Sequence, residues 1–349
     1  MTFEGIMRGT FRASARALAF LTGFALVAIA IDSQLPPHDV PALTSKLQYF
    51  AKHKDEFDTV FLGSSRIYHQ ILPSIFDEQT RATGIPTRSF NFGIAGMRPP
   101  EDAYVFDQIA RLRPGKLRWV FIEAAGIRFQ IDRDKRGTIR ALYWRDLERT
   151  VLLLRFAFTH RSKWSRKQIS ETAAIASEHL HLFSRRFTNM GRAHVLTDML
   201  TQRNPPRPHL RPLGENLDGF RPVGQVEQIR ADELVKLERD LEERKAEPAE
   251  VNYDAKISQI ALDRLLRRIR DVGAIPVLIV PPTTSSKRFH PAPWITPQPL
   301  VLDFSDINRY PELYEPRHRL DYTHLNLAGS QIFSALLANE LAATQSTQP

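Results

Sequence analysis

The sequence predicts an α/β protein whose parallel sheet is covered by helices on both faces. Short apolar runs of the length expected for buried strands alternate with longer segments in which apolar residues recur at helical spacing. Glycine-bearing loops follow three of these runs, at the carboxyl ends of strands where open parallel sheets bind ligands. The chain has 349 residues, of which 42% are hydrophobic, enough for one large domain with an insertion or for two domains.

The individual elements follow from the same patterns. Predicted strands are residues 57–62, 87–92, 117–122 and 275–280. Predicted helices are residues 43–54, 67–82 (interrupted near Pro73), 100–112 and 327–341, with one more helix before the fourth strand that carries Ile257, Leu266 and Ile269. Residues 132–251 are instead rich in Arg, Lys and Glu and predict a basic helical insertion. The α/β domain is therefore expected in two parts, residues 33–131 and 252–343, followed by a polar tail at residues 344–349.

The amino terminus predicts a membrane segment within residues 1–32. Arg8, Arg12 and Arg16 precede an uncharged, mostly apolar run at residues 17–31, which Asp32 ends. The run is shorter than the roughly 20 residues of a comfortable span, and residues 28–30 fit a signal-peptide cleavage site. Two alternatives stay open, an uncleaved anchor in the cytoplasmic membrane and a cleaved signal with secretion. Both place the basic flank inside and the body of the protein outside, in the periplasm for the anchor, which we favour.

Composition excludes some classes of site. The net charge of +9 suits an anionic membrane surface or an acidic polymer, but no basic run is interleaved with aromatic residues, so no nucleic-acid partner is expected. The chain has no Cys, which excludes disulfides and thiolate metal sites. His179 and His181 lie two residues apart, the wrong spacing for one helix face. The sequence therefore predicts neither a metal nor another cofactor.

The candidate chemistry lies in a serine near the start of the domain and a histidine near its end. Ser65 follows the first predicted strand directly after Gly63 and Ser64, and Asp321 precedes His324 by three residues. A serine hydroxyl becomes a good nucleophile when a base takes its proton, and an imidazole oriented by a carboxylate supplies that base. Each piece alone also has a structural explanation, since small residues cap helices and Asp or His residues fill surface loops.

Three motifs resemble those of the SGNH/GDSL hydrolase superfamily, in particular its membrane-anchored bacterial cell-envelope branch. Residues 60–65 are similar to the first block of that family, residues 91–96 to the second, and Asp321-Tyr322-Thr323-His324 to the fifth. The resemblance implies a three-layer α/β/α, flavodoxin-like parallel sheet. It implies Ser65 as nucleophile, His324 as general base and Asp321 as its orienting partner, with the N–H of Gly96 in the oxyanion hole.

Two positions depart from the family pattern. Ser64 stands where the family usually has Asp, and the third strand leads into residues 123–128 without the Asn that normally completes the oxyanion hole. Arg128 lies near the position of that Asn and is predicted to stabilise the oxyanion by its charge. Ser64, Asn91 and Glu123 are predicted to contact substrate, with the alternative that Asn91 and Glu123 hold backbone turns. His69, close to Ser65 in sequence, is expected to be structural.

These observations predict a membrane-anchored serine esterase or O-acyltransferase. The expected substrate is an acyl ester of a cell-envelope polysaccharide or lipid, and a membrane-bound acyl-donor protein is an expected partner for the transferase. A non-catalytic envelope scaffold that retains the fold is the alternative, favoured by the missing Asn. A catalytic site requires Ser65 Oγ close to His324 Nε2, with Asp321 on the other ring nitrogen.

Overall fold

The computed structural model describes residues 3–36, 38–159, 165–189, 191–201, 209–223, 229–247, 249–253 and 255–346. The first element is a long helix, α1 (Phe3–Gln34). Its segment Phe11–Gln34 is long and apolar enough to cross a membrane, a property that signal sequences share, and its described side chains are mostly exposed. Asp32 near its end forms an ion pair with Arg186 at 3.7 Å, which ties α1 to the insertion.

A five-stranded parallel sheet forms the centre of the α/β part. Its strands are β1 (Thr59–Leu62), β2 (Ser89–Asn91), β3 (Trp119–Glu123), β5 (Ile275–Val280) and β7 (Leu300–Asp303), in the spatial order β2-β1-β3-β5-β7. All neighbouring pairs in this sheet are parallel. Numbered among themselves the strands run 2-1-3-4-5, one of the two common orders of doubly wound sheets. The predicted α/β class with a parallel sheet is confirmed, and β7 is a strand that the sequence pattern did not predict.

Helices and short strands complete the described chain. The helices after α1 are α2 (Pro41–His53), α3 (Ser65–Tyr68), α4 (Pro73–Ala82), α5 (Glu101–Arg111), α6 (Ile139–Leu142), α7 (Leu147–Thr159), α8 (Arg166–Phe187), α9 (Ala193–Leu200), α10 (Ala231–Ala246), α11 (Lys256–Asp271) and α12 (Leu327–Ser346). Strands β4 (Glu250–Asn252) and β6 (Lys287–Phe289) pair with each other in parallel. Helix α12 extends into the predicted polar tail, whose residues 347–349 lie outside the described residues.

Alternate side chains of the strands supply two hydrophobic layers. On one face, Val60, Val120 and Leu278 pack with apolar residues of α2, α5, α7 and α11. On the other face, Phe61, Phe121 and Val277 belong to a second cluster with residues of α4 and α12. Because side chains of a strand alternate between faces, β1, β3 and β5 each contribute apolar residues to both layers.

The described part of residues 132–251 contains helices α6 to α10, and it packs closely on the sheet layers. Leu153 and Phe156 of α7 and Leu213 lie in the first hydrophobic cluster. Leu241 of α10 packs against the second cluster, on the opposite face. The segment therefore covers both sides of the domain, and α10 comes close to the loop that carries His324.

Candidate active site

Ser65 lies at the sharp turn between β1 and α3. The side chain of Ser64 caps α3 by accepting a hydrogen bond from the N–H of Arg66 at 3.3 Å. Glycine is required just before it, because a Cβ on Gly63 would come within 2.6 Å of the Glu123 Cβ and closer still to Ile67. The tight packing at Gly63 fixes the backbone from which Ser65 projects.

His324 lies on a loop between a 3₁₀ turn (Pro316–His318) and α12. An isolated antiparallel bridge between Arg319 and Leu325 closes this loop, and the N–H of Leu320 donates to the carbonyl of His324 at 2.9 Å. The Arg319 side chain is fully buried and donates through Nη2 to the carbonyl of Tyr322 at 2.8 Å. The loop is therefore held in shape by its own backbone and by one buried guanidinium.

The structure brings Ser65, His324 and Asp321 together. Ser65 Oγ lies 2.8 Å from His324 Nε2, and His324 Nδ1 lies 2.8 Å from Asp321 Oδ2. With the Nδ1 proton donated to Asp321, Nε2 is left as the acceptor for the serine hydroxyl. This is the geometry in which an imidazole removes the proton of an attacking serine.

Asp321 is held as a carboxylate by four hydrogen bonds. Its Oδ1 accepts from the N–H of Thr323 at 2.6 Å, from the Thr323 hydroxyl at 2.8 Å and from the N–H of His324 at 2.6 Å, in addition to the His324 ring on Oδ2. Burial alone would raise the pKa of Asp321, but the hydrogen bonds from His324 and Thr323 hold it well below its ordinary value. Asp321 is thus ionised at every pH at which the protein is expected to work.

Thr323 is a site residue that the sequence reasoning missed. Its hydroxyl oxygen also lies 2.9 Å from His324 Nδ1, so a proton on Nδ1 has two acceptors within reach, Thr323 Oγ1 and Asp321 Oδ2. The signal was available, since a threonine directly before the histidine and two residues after the aspartate can reach both in a tight turn.

Asn91 is buried at the end of β2, and its side chain forms hydrogen bonds with backbone groups. Its Nδ2 donates to the carbonyls of Ile67 and Ile71 at 2.8 and 2.9 Å, and its Oδ1 accepts from the N–H of Gly93 at 2.8 Å. Lys46, also buried, donates to the carbonyls of Asn91 and Gly93 at 2.8 and 2.7 Å. Of the two roles open to Asn91, this geometry favours holding a turn over touching substrate.

Gly96 lines the cleft beside Ser65 in a backbone conformation that suits glycine. Its φ is +71°, and a Cβ there would come within 2.5 Å of Lys135 Nζ. Within the described ranges, no residue accepts a hydrogen bond from the backbone N–H of Gly96 or of Ser65. Two backbone donors are thus present in one cleft with the nucleophile.

Glu123 lies underneath the Ser65 turn. Only 4% of its surface is exposed, and Oε2 accepts from the N–H of Ser64 at 2.5 Å. Its Oε1 accepts from Arg66 Nε at 3.0 Å and Arg66 Nη2 at 2.6 Å. Burial alone would raise the pKa of Glu123, but Arg66 and the Ser64 N–H hold it below its ordinary value. The expected substrate contact is therefore replaced by the alternative, in which this carboxylate fixes the turn that presents Ser65.

Arg128 lines the same cleft on the loop after β3. Its guanidinium forms an ion pair with Asp132 at 2.9 Å, and 55% of its side chain is exposed. An oxyanion donor works best when it is fixed in place and shielded from water. Arg128 is exposed to water and already paired with Asp132, so it does not meet these conditions.

Of the remaining histidines singled out in the sequence, His69 and His179 have structural partners. His69 Nδ1 lies 2.5 Å from the carbonyl of Arg221, and burial lowers the pKa of His69 to about 4. His179 is buried between the Phe129 carbonyl and Arg145 Nε, at 2.8 and 3.2 Å, whereas His181 is exposed. Among the described residues, no group of three or more His, Asp or Glu side chains is placed to hold a metal ion.

These loops enclose an open cleft of about 700 Å³ at the carboxyl ends of the strands, called the Ser65 cleft below. Its described lining is Ser64, Ser65, Arg66, Gly96, Arg98, residues 124–128, Asn252, Val280, Pro281, Thr283, Ser285, Lys287, Arg288, Phe289, Thr323 and His324. A scan against models of protein families matches no family, and a search of curated proteins finds no match to this chain. The chemistry of the cleft therefore rests on its own residues.

Proposed function

We propose that this protein is a serine esterase or O-acyltransferase that forms an acyl-enzyme on Ser65. The observation that carries the proposal is the continuous chain of hydrogen bonds from Ser65 Oγ through the His324 ring to Asp321, with the nucleophile in an open cleft. The motif resemblance to the SGNH/GDSL superfamily supports the same roles, and the strand order is compatible with that fold.

In the first half-reaction, Ser65 Oγ attacks the carbonyl carbon of the ester while His324 Nε2 takes the hydroxyl proton. Asp321 stabilises the imidazolium that forms, and the backbone N–H groups of Ser65 and Gly96 are the proposed donors to the tetrahedral oxyanion. The intermediate then expels the alcohol, which leaves with the proton from His324. The acyl group remains esterified to Ser65.

In the second half-reaction, a hydroxyl compound attacks the acyl-enzyme and gives its proton to His324. Collapse of the intermediate returns that proton to Ser65 Oγ and releases the acyl product. Water as the attacking compound makes the protein an esterase, and a sugar hydroxyl makes it an acyltransferase that needs an acyl donor. Both outcomes use the same three side chains.

The N-terminal helix gives the proposed location. We propose that α1 anchors the protein in the cytoplasmic membrane, with the α/β part outside, where envelope glycans and lipids carry acyl esters. The length and apolar character of Phe11–Gln34 support this, as do Arg12 and Arg16 near the amino-terminal end of that segment.

The test is covalent labelling of the folded protein with a fluorophosphonate. Wild type is expected to label at Ser65, whereas Ser65→Ala and His324→Ala are expected to lose labelling. Ser74→Ala, which removes an exposed serine on α4, serves as the control and should label like wild type. No labelling of folded wild type would reject the enzyme and favour the non-catalytic envelope scaffold.

A further inference from the structure

We propose that the Ser65 cleft binds a negatively charged glycan, so that the ester attacked by Ser65 is carried on an anionic sugar polymer. This inference rests on the proposed function and names the substrate class of the same site.

The first observation is the one-sided charge of the cleft. Five cationic side chains are among its described lining residues, and none of those residues is Asp or Glu. The five are Arg66, Arg98, Arg128, Lys287 and Arg288. A cleft whose walls carry charge of one sign concentrates ligands of the opposite sign near the reacting group.

The second observation is that two of these cations have no hydrogen-bond or ion-pair partner among the described residues. Arg66, Arg128 and Arg288 form ion pairs with carboxylates that do not line the cleft, whereas Arg98 and Lys287 form no side-chain hydrogen bond or ion pair with any described residue. Arg98 lies in the loop between β2 and α5, and Lys287 lies in β6 of the separate two-stranded sheet. Two different regions of the chain thus each bring one such cation into the cleft that holds Ser65.

Arg98 is exposed on the cleft wall, and no described carboxylate accepts a hydrogen bond from it. Desolvation lowers the pKa of Arg98, as do the neighbouring Arg66 and Arg128, whereas Glu123 and Asp132 act in the opposite direction. The N–H groups of this guanidinium are therefore open to an anion that accepts its hydrogen bonds. A carboxylate or sulfate on a bound sugar would supply that anion.

The third observation favours a glycan over a lipid. The cleft is lined by the hydroxyl residues Ser64, Thr283, Ser285 and Thr323, and it is open to solvent. Its larger apolar lining residues, Ile127, Val280 and Phe289, are few compared with the polar ones, whereas a lipid chain is normally enclosed by an apolar wall.

The cationic surface also continues beyond the cleft, as a polymer requires. A second depression shares Gly96, Arg98 and Arg128 with the Ser65 cleft and adds Lys135 and Arg140. These added cations lie beside Asp132 and Glu101, so the continuation is less one-sided than the cleft itself. Successive anionic sugars could follow this track while one ester reaches Ser65.

The experiment measures binding in the full-length Ser65→Ala protein in detergent, so that no turnover occurs. A fluorescent oligogalacturonate is the anionic probe, and a fluorescent malto-oligosaccharide of the same length is the neutral probe. The anionic probe is expected to bind at least about 10-fold more tightly, with an affinity that falls as salt is added.

Variants locate the binding. Arg98→Gln with Lys287→Gln should weaken anionic-probe binding by about 10-fold, and the charge-keeping pair Arg98→Lys with Lys287→Arg should retain most of it. The matched control is Arg264→Gln with Lys116→Gln, which removes one exposed Arg and one exposed Lys outside the cleft. An equal loss in the control would show that the net charge of the protein is responsible, and would overturn the proposal.

Two further outcomes also overturn it. Equal binding of the two probes would remove the anionic requirement, and tighter competition by phosphatidylglycerol vesicles than by the oligogalacturonate would assign the site to a lipid headgroup. A sulfated oligosaccharide of the same length distinguishes carboxylate from sulfate recognition within the glycan class. Fluorophosphonate labelling of wild type separates this inference from the proposed function, because labelling without anion preference rejects only the inference.

Discussion

The two sides of the Ser65 cleft are built in different ways. On the His324 side, Asp321 accepts four hydrogen bonds from residues within three positions of it, and the loop is closed by its own backbone. On the opposite side, the loop after β3 has Arg128 largely exposed and paired with Asp132, and no Asn in the position the resemblance requires. The side proposed to transfer the proton is thus preorganised by the chain itself, whereas the side proposed to stabilise the oxyanion has two backbone N–H groups and no fixed side-chain donor among the described residues.

Loss of the nucleophile or the base should have the largest effect. Ser65→Ala and His324→Ala are each expected to lower kcat for 4-nitrophenyl acetate by about 10⁶-fold, since neither group works without the other. The double variant should be no worse than either single variant. An additive loss would show that the two residues do not act as one unit. It would then contradict the view that the His324 side of the cleft is preorganised for catalysis.

Asp321→Asn should come next, with a loss of about 10⁴-fold in kcat. An amide nitrogen facing His324 Nδ1 would favour the ring tautomer that carries its proton on Nε2, so the ring could no longer accept from Ser65. Fluorophosphonate labelling rates give the measurement. A loss below about 10-fold would mean that Thr323, which also touches Nδ1, orients the ring by itself.

Glu123→Gln tests the support beneath the nucleophile. It leaves the partly buried Arg66 without its carboxylate and is expected to lower the free energy of unfolding by about 3 kcal/mol at pH 7. Because the folded pKa of Glu123 lies below its ordinary value of 4.5, the ionised carboxylate stabilises the fold above that pH, and this contribution is lost as pH falls below it.

Urea unfolding of wild type and Glu123→Gln at pH 7 and at low pH gives the measurement. The difference between the two proteins should shrink at low pH. Glu56→Gln, which breaks the exposed pair with Arg88, is the control and should change stability far less. A pH-independent difference would assign the effect of Glu123→Gln to packing.

Gly96→Ala tests the side of the cleft that is proposed to stabilise the oxyanion. A left-handed φ of +71° is unfavourable for alanine by about 1–2 kcal/mol, so the loop should shift and displace the proposed N–H donor. We expect kcat to fall by about 10-fold or more. Gly137→Ala has almost the same φ, +74°, with open space around its Cβ and no place in the cleft lining, so it should reproduce the strain and leave kcat unchanged.

Arg128→Ala should have the smallest effect on neutral esters, about 2–3-fold, because the guanidinium is exposed and already paired with Asp132. Steady-state kinetics with 4-nitrophenyl acetate checks this. A loss of about 100-fold would instead identify Arg128 as the replacement for the missing Asn donor.

Local patterns explain what the sequence could predict. The four predicted strands and the positions of Ser65 and His324 depend on apolar runs and on residues adjacent in sequence, and the structure has strands at all four places. Strand β7 was missed because its four residues follow a proline-rich segment and lack a helical pattern before them. The sequence left two roles open for Glu123, a substrate contact or support of a backbone turn. Its partner Arg66 lies 57 positions away, and no local spacing indicates such a pair.

The role of the insertion could not be predicted for the same reason. Its charged composition indicates solvated helices, but it does not show which side chains reach the sheet. Leu153 and Phe156 pack in the core, and Lys236 of α10 lies 3.1 Å from the centroid of the Tyr322 ring, next to the His324 loop. Contacts between segments that are distant in sequence determine where these side chains lie. A single sequence does not show which distant segments come into contact.

Ser65 and His324 are 259 positions apart in the sequence, and this separation has a consequence for the biosynthesis of the protein. The first four helices and the nucleophile are made early, but the base arrives with the last loop, just before α12 packs beside α4. A nascent chain therefore carries an inert Ser65 until translation is nearly complete. If the chain crosses a membrane as it is made, the proposed reaction becomes possible only after the carboxyl-terminal segment has emerged on the far side.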